Sequence, residues 1–264
     1  MPIERSLLDG WYFFSSLLRP PYARRFLNLS PRRQRFILAN PLLCRFHRRL
    51  FSGWLRDLIA GRRVVIVGSG PSALELSSVP EDAVLMTCNA GLRLLADRGI
   101  PNRVDLYYYH KRATEWNQSG LEPYVSRVSI GCFISNLVQA IRIGQKYERI
   151  RRVQTVFIRD FNRDNFYLEP LLRPSRVRSL SVNGVDWTSA GLRLLQYALY
   201  FQAKEIYLIG IDHTSDYFWG MKDRVLIELP FERRVLQILS KNFSHIYSLS
   251  PQSPITQYFP HKRI

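Results

Sequence analysis
The sequence predicts an α/β protein: a Rossmann-like, mainly parallel sheet flanked by helices, preceded by a basic helical extension. Three observations lead there. From residue 64 onward, short apolar runs alternate with amphipathic stretches, the pattern of strands and helices laid down in turn. The first run ends in Gly68-Ser69-Gly70-Pro71-Ser72, a turn at the carboxyl end of a strand, where such sheets bind ligands. Residues 1–63 have another composition: thirteen arginines, no lysine and only Glu4, Asp9 and Asp57 as acids, interleaved with Trp11, Tyr12, Phe13, Phe14, Phe26, Phe36 and Trp54. Two segments follow, a basic amphipathic one (1–63) and an α/β ligand-binding unit (64–264).

The elements can be justified in order. Val64 to Val67 is a buried strand, and the turn after it is expected to open a helix. Ala83 to Thr87 reads as a second strand and Asp105 to Tyr109 as a third. Between 111 and 180 helical and extended patterns mix; Val153 to Ile158 is the clearest strand there, and Arg149-Ile150-Arg151-Arg152 has the look of a solvated face. Thr188-Ser189-Ala190-Gly191 opens a helix that places Leu192, Leu195 and Leu199 on one face. Glu205 to Ile211 is a strand closed by Gly210 and Asp212. A helix near Phe231 to Leu239 leads to a last strand, Ile246 to Leu249, stopped by Pro251. No internal repeat is present.

A chain of 264 residues with 46% hydrophobic content can bury a full core, which sets disorder aside. Its formal charge of +17 exceeds what solubility needs, so a polyanionic partner is expected: nucleic acid, acidic lipid or a phosphorylated substrate. Cys44, Cys88 and Cys132 are odd in number and share no metal-ligand spacing. They are expected as packing residues in a reducing compartment, without disulfide or metal. Glu4 and Asp9 interrupt any signal-like n-region, and Trp11 to Leu18 is too short to span a bilayer. A cytoplasmic protein, peripheral on the inner membrane, is the expectation.

Gly68-x-Gly70-x-x-Ala73 satisfies the loose dinucleotide fingerprint, so an NAD or FAD enzyme is one alternative. The loop suits phosphate, because glycines admit close backbone approach and a following helix would offer free N–H groups; a side chain at Gly70 would then fill the space the phosphate needs. A dinucleotide site also wants an acid at the end of the second strand to hold the ribose, and here that strand ends Thr87-Cys88-Asn89.

The ordered series from this loop through Cys88-Asn89, Asp105 to Tyr109, Thr188-Ser189 and Lys204 to Asp212 to Ile246-Tyr247-Ser248-Leu249-Ser250-Pro251 carries a family likeness. It resembles the bacterial sialyltransferases that build lipooligosaccharide outer cores, and is similar also to the lipopolysaccharide-core Kdo transferases. The likeness spans about residues 62–260 and is weakest from 111 to 180. It implies a GT-A-like sialyltransferase fold and an inverting glycosyltransferase that takes sialic acid or a Kdo-type sugar from a CMP-activated donor. No further cofactor and no metal are implied, and the acceptor would be a lipopolysaccharide or other lipid-linked glycan.

By that resemblance, Gly68, Ser69, Gly70, Pro71 and Ser72 would sit at the CMP phosphate and ribose, with Asn89 beside the nucleotide. Thr188 and Ser189 would contact donor sugar or cytidine, and Gly210, Ile211 and Asp212 would line the cytidine pocket. Tyr217 matches a tyrosine that donates to the leaving phosphate, where a positioned hydroxyl stabilises developing charge. Two positions depart from the family. Its lid histidine, the general base, has no counterpart between Thr214 and Phe231, and His110 replaces an expected asparagine.

The residues themselves leave the base open between His213, at the mouth of the sixth predicted element, and His110; either imidazole can take a proton near neutral pH, and either can be a structural loop histidine. Lys111 and Arg112 suit an anionic donor or form a solvated pair. Asp212 reads as a holder of ribose or of a backbone turn rather than as a base, and Tyr217 as donor or as aromatic packing. Outside catalysis, the arginine-rich segment could bind nucleic acid, but it contains no nucleic-acid module. A noncatalytic membrane adaptor with the same fold is the other rival. The favoured partners are therefore a CMP-sugar, a glycan acceptor and an anionic membrane surface met by residues 1–63, without nucleic acid; self-association stays open.

Overall fold
Val64 to Val67 lacks any polar side chain, and such a run can be buried on both faces only if helices cover both sides of its sheet. The computed structural model builds that arrangement; it describes residues 53–100, 103–109, 120–125, 127–136, 155–159, 189–212, 214, 216–218 and 229–264. A helix over 53–59 (α1) leads into β1 (Arg63–Val67). There follow β2 (Val84–Cys88), α2 (Gly91–Arg98), β3 (Arg103–Tyr108), the short α3 (Glu122–Val125), β4 (Ser129–Asn136) and β5 (Thr155–Arg159). Then come α4 (Ala190–Tyr200), β6 (Glu205–Ile209), α5 (Leu229–Asn242) and β7 (Ile246–Ser248).

Among the described residues the strands form one sheet in the order β5-β4-β3-β2-β1-β6-β7, every neighbouring pair parallel. The chain winds outward from β1 to β5, then returns to the far side of β1 with β6 and β7. That reversal puts a topological switch point between β1 and β6, where the loops leaving the two carboxyl ends diverge and open a crevice.

The side chains alternate as the pleat requires. Val64, Ile66, Met86, Tyr108, Leu208 and Ile246 face one core, closed by Leu55 and Ile59 of α1, Leu192, Leu195 and Leu199 of α4, and Val235, Leu236 and Leu239 of α5. Val65, Val67, Leu85, Tyr107, Tyr207 and Ile209 face the other, closed by Leu92, Leu94 and Leu95 of α2 and by Leu121 and Val125. Residues 53–63 thus pack with the sheet, whereas the arginine-rich stretch up to residue 52 lies outside the described residues. Among the described residues no helix is long and apolar enough to cross a membrane.

Two expectations change. The turn after β1 is followed by a five-residue 3-10 turn, Pro71–Glu75, closed by Leu76 N–H on the Ala73 carbonyl, and not by an α-helix. The turn goes no further because Leu76, at φ −64° and ψ 112°, leaves the helical region and returns the chain to an extended path. The strand expected to run to Ile211 ends at Ile209, because Gly210 turns the backbone to φ +69°. β4 and α2 are elements that the periodicity did not reveal.

Candidate functional site
The crevice at the switch point is an open cleft with about 410 Å³ between its walls, counting the solvent-open mouth. Five pieces of chain build it. Gly68, Ser69 and Gly70 come from the end of β1, Cys88 and Asn89 from the end of β2, and Ser189, Ala190 and Gly191 from the start of α4. Gly210, Ile211 and Asp212 come from the end of β6, and Thr214, Asp216 and Tyr217 from the chain beyond it.

The β1 and β6 loops are stitched together. Gly68 N–H donates to the Ile209 carbonyl (2.8 Å) and Gly70 N–H to the Gly210 carbonyl (2.7 Å). A Cβ on Gly68 would overlap the Gly210 carbonyl, and one on Gly70 would overlap the Asp212 carboxylate. The glycines are therefore required by loop-on-loop packing. Asp212 is buried and accepts three hydrogen bonds: from Ser72 N–H (2.8 Å) and Oγ (2.5 Å), and from Ser253 Oγ (2.5 Å). Of its two readings, the holder of a backbone turn is the one this geometry carries.

With the Gly68, Gly70 and Ser72 amides engaged and Pro71 without one, the glycine loop keeps the Ser69 N–H without a protein acceptor among the described residues. Pro71 and Ser72 stand behind the loop, Ser72 turned toward Asp212 and Gly210 rather than into the cleft. The free helix N–H groups expected behind the loop come instead from α4. Ser189 caps that helix, its Oγ accepting from Leu192 N–H, while its own N–H is fixed on the buried Glu232 carboxylate at 2.7 Å. Ala190 and Gly191, the first two residues of α4, line the cleft, and among the described residues their amides have no protein acceptor, an arrangement that favours an anion. Gly191 is needed there, since a Cβ would come within 3.0 Å of the Ile211 side chain.

The opposite wall is set by Asn89, in the left-handed region at φ +46°. Its N–H donates to the Tyr108 carbonyl (3.0 Å) and its carbonyl accepts from the Tyr107 hydroxyl (3.0 Å). Burial pushes the Tyr107 phenol well above its usual range, which keeps it a donor. Phe218 N–H donates to the Ser69 carbonyl (3.0 Å), drawing the 216–218 stretch over the glycine loop and Tyr217 to the cleft.

The structure thus brings together Gly68, Ser69, Gly70, Asn89, Ser189, Gly210, Ile211, Asp212 and Tyr217. His110, Thr188 and His213 lie outside the described residues, as do Cys44, Lys111 and Arg112. Cys88 and Cys132 are buried thiols, Cys88 in the cleft wall and Cys132 within the sheet. Among the described residues no group of three or more His, Cys, Asp or Glu side chains could hold a metal ion. Sequence reasoning missed Ala190, Gly191 and Thr214 as lining residues and Gly91 as a packing glycine. Gly91 lets α2 start against the ends of β1 and β2, where a Cβ would meet Thr87 Oγ1 at 2.5 Å and the Val67 carbonyl at 2.8 Å. A glycine at the start of a helical pattern was the available signal.

Fold and cleft together define a doubly wound α/β protein with a ligand crevice at its switch point. The sequence matches no family model and no curated protein. The structure is similar to that of the sialyltransferase CstII from Campylobacter jejuni in complex with cytidine-5′-monophosphate, with a TM-score of 0.50 and 19% identity over 76% of this chain and 85% of that one. The sialyltransferase CST-II in complex with trisaccharide acceptor and CMP gives 0.49 and 17% over 76% and 86%. The monofunctional α-2,3-sialyltransferase Cst-I from Campylobacter jejuni gives 0.47 and 15% over 76% and 80%. The fold is that of the sialyltransferases.

Proposed function
We propose that this chain is a CMP-sugar-dependent glycosyltransferase that moves an acidic sugar to a glycan acceptor. The observation that carries this reading is the cleft at the β1/β6 switch point, walled by glycine loops, a capped helix N-terminus and a tyrosine, in a fold shared with a CMP-bound sialyltransferase. The Ala190 and Gly191 amides with Ser69 would receive the donor phosphate, and Asn89 and the Gly210–Asp212 turn would frame the nucleoside. Tyr217 would donate to the phosphate oxygen as charge develops on it.

The reaction we infer is a direct, inverting displacement. A general base removes the acceptor hydroxyl's proton, the acceptor oxygen attacks the anomeric carbon, and the bond from that carbon to the CMP phosphate oxygen breaks, its electron pair leaving with CMP. His213 and His110 are the proposed bases, and Asp216, on the cleft wall, is the alternative. Sialic acid and Kdo-type sugars are the two donors considered.

Calorimetric titration with CMP, UMP and NAD tests the reading: CMP should bind more tightly than either, and equal affinity for NAD and CMP would sink it. The β2 strand ends in Cys88-Asn89 without an acid for a dinucleotide ribose, which favours the first outcome.

We further propose that residues 1–63 hold the enzyme on the cytoplasmic face of an anionic membrane, beside a lipid-linked acceptor. The support is compositional: aromatic side chains between Trp11 and Leu18 can enter the interface while Arg19, Arg24 and Arg25 meet head groups, each worth on the order of 1 kcal/mol. The intact chain should sediment with vesicles rich in anionic lipid, less so at high salt, and not with neutral ones. Sedimentation indifferent to lipid charge would refute the anchor.

A further inference from the structure
Asp212 sits in the floor of the cleft at 3% exposure, and a carboxylate so buried is stable as an anion only while donors surround it. Two of its three donors come from Ser72, on the glycine loop itself. The third, Ser253 Oγ, arrives from forty-one residues further along the chain, shares Oδ1 with the Ser72 hydroxyl, and does not line the cleft. Oδ2 lies where a Cβ on Gly70 would stand, and the Ser72 hydroxyl also accepts from Gly210 N–H at 2.8 Å. Any rotation of the carboxylate therefore displaces the β1 loop, the β6 turn or both, the two walls between which the ligand would lie.

Ser253 is itself held in place. Its N–H and that of Gln252 donate to Ser250 Oγ (3.1 and 3.2 Å), and Ser248 Oγ donates to the Ser250 carbonyl at 2.8 Å. Ser253 is 2% exposed and starts the 3-10 turn Pro254–Gln257, its Oγ accepting from Ile255 N–H. The turn after β7 thus hands one hydroxyl to the centre of the site.

We infer that Ser253 is a positioning residue of the donor cleft, acting through Asp212 to set the separation of the β1 and β6 loops. The inference rests on the reading of this cleft as the CMP site. With the Ser253 hydroxyl removed, Oδ1 keeps only the Ser72 hydroxyl of its two donors; the carboxylate turns to recover the other and the loop pair shifts.

The test measures CMP affinity of the full chain by calorimetry at a temperature where every variant is folded, with thermal unfolding in parallel. Ser253→Ala should weaken CMP binding about tenfold, a change of the size that a residue in a hydrogen-bond network behind a site imposes on affinity without touching the ligand. Ser253→Thr, which keeps the hydroxyl, should bind within about threefold of the wild type. A merely structural serine would lower the unfolding midpoint and leave the affinity of the folded protein unchanged, and that result overturns the inference. Should Ser253→Ala fail to fold, Ser253→Gly, which also lacks the hydroxyl, takes its place; unchanged affinity there overturns it equally. Wild type that does not bind CMP overturns the reading of the cleft and with it this inference, whereas wild type that binds alongside an unaffected Ser253→Ala defeats the inference alone.

Discussion
Gly210→Ala separates two costs that usually come together. Gly210 has φ +69°, so any side chain there meets the left-handed penalty of about 1–2 kcal/mol. It is also packed: a Cβ would lie 2.8 Å from the Ala73 Cβ and 2.8 Å from the Gly68 carbonyl oxygen, neither of them the far end of a flexible side chain. Forcing these apart costs about a further 1–3 kcal/mol, for a total of roughly 2–5 kcal/mol. Gly99 supplies the control. It caps α2 with φ +66°, and a Cβ there meets nothing within 4 Å, so Gly99→Ala carries the backbone penalty alone. Urea denaturation followed by tryptophan fluorescence should place Gly210→Ala about 1–3 kcal/mol below Gly99→Ala at unchanged slope, with an unfolding midpoint lower by roughly 2–4 °C per kcal/mol. Equal destabilisation of the two variants would refute the close packing of the β1 and β6 loops, and with it the physical account of the cleft.

Tyr107→Phe removes the hydroxyl that holds the Asn89 carbonyl; a stability loss of about 1 kcal/mol and weaker CMP binding should appear together in denaturation and calorimetry. His213→Ala and His110→Ala each test for the base: the true one loses about 10²–10⁴-fold in turnover while CMP affinity holds, and full activity in both variants shifts the role to Asp216. Tyr217→Phe should lower kcat more than it alters donor KM, since its proposed hydrogen bond strengthens as the phosphate departs. The Lys262 ammonium, and then the Tyr207 phenol, hold the Glu205 carboxyl below its usual 4.5. A depressed carboxylate stabilises the fold above its unfolded pKa and loses that contribution as pH falls through the folded one. Lys262→Met should therefore lower stability in urea at pH 7, and by progressively less as pH falls below the usual carboxylate range.

What could be read from the sequence was set by local pattern. A strand buried on both faces must be apolar throughout, so Val64 to Val67 and Ile206 to Ile209 declared themselves, and strands alternating with helices implied the parallel order that puts a crevice at the ends of β1 and β6. The glycine doublet, Asn89, Ser189, the Gly210–Asp212 turn and Tyr217 followed from that placement together with the family resemblance. β4 escaped notice because Ser129, Gly131 and Ser135 break its apolar run, and α2 because it begins at a glycine.

The division of labour inside the cleft was decided by tertiary structure alone. Asp212 meets Ser72 across 140 residues and Ser253 across 41, and no periodicity relates positions so far apart. The Gly68 and Gly70 amides are engaged by the Ile209 and Gly210 carbonyls and the Ser72 amide by Asp212, so the glycines serve packing before they serve a ligand. Residue type and spacing determined which pieces of chain could reach a phosphate. Which donors remained for it depended on hydrogen bonds that form only once the loops are pressed together.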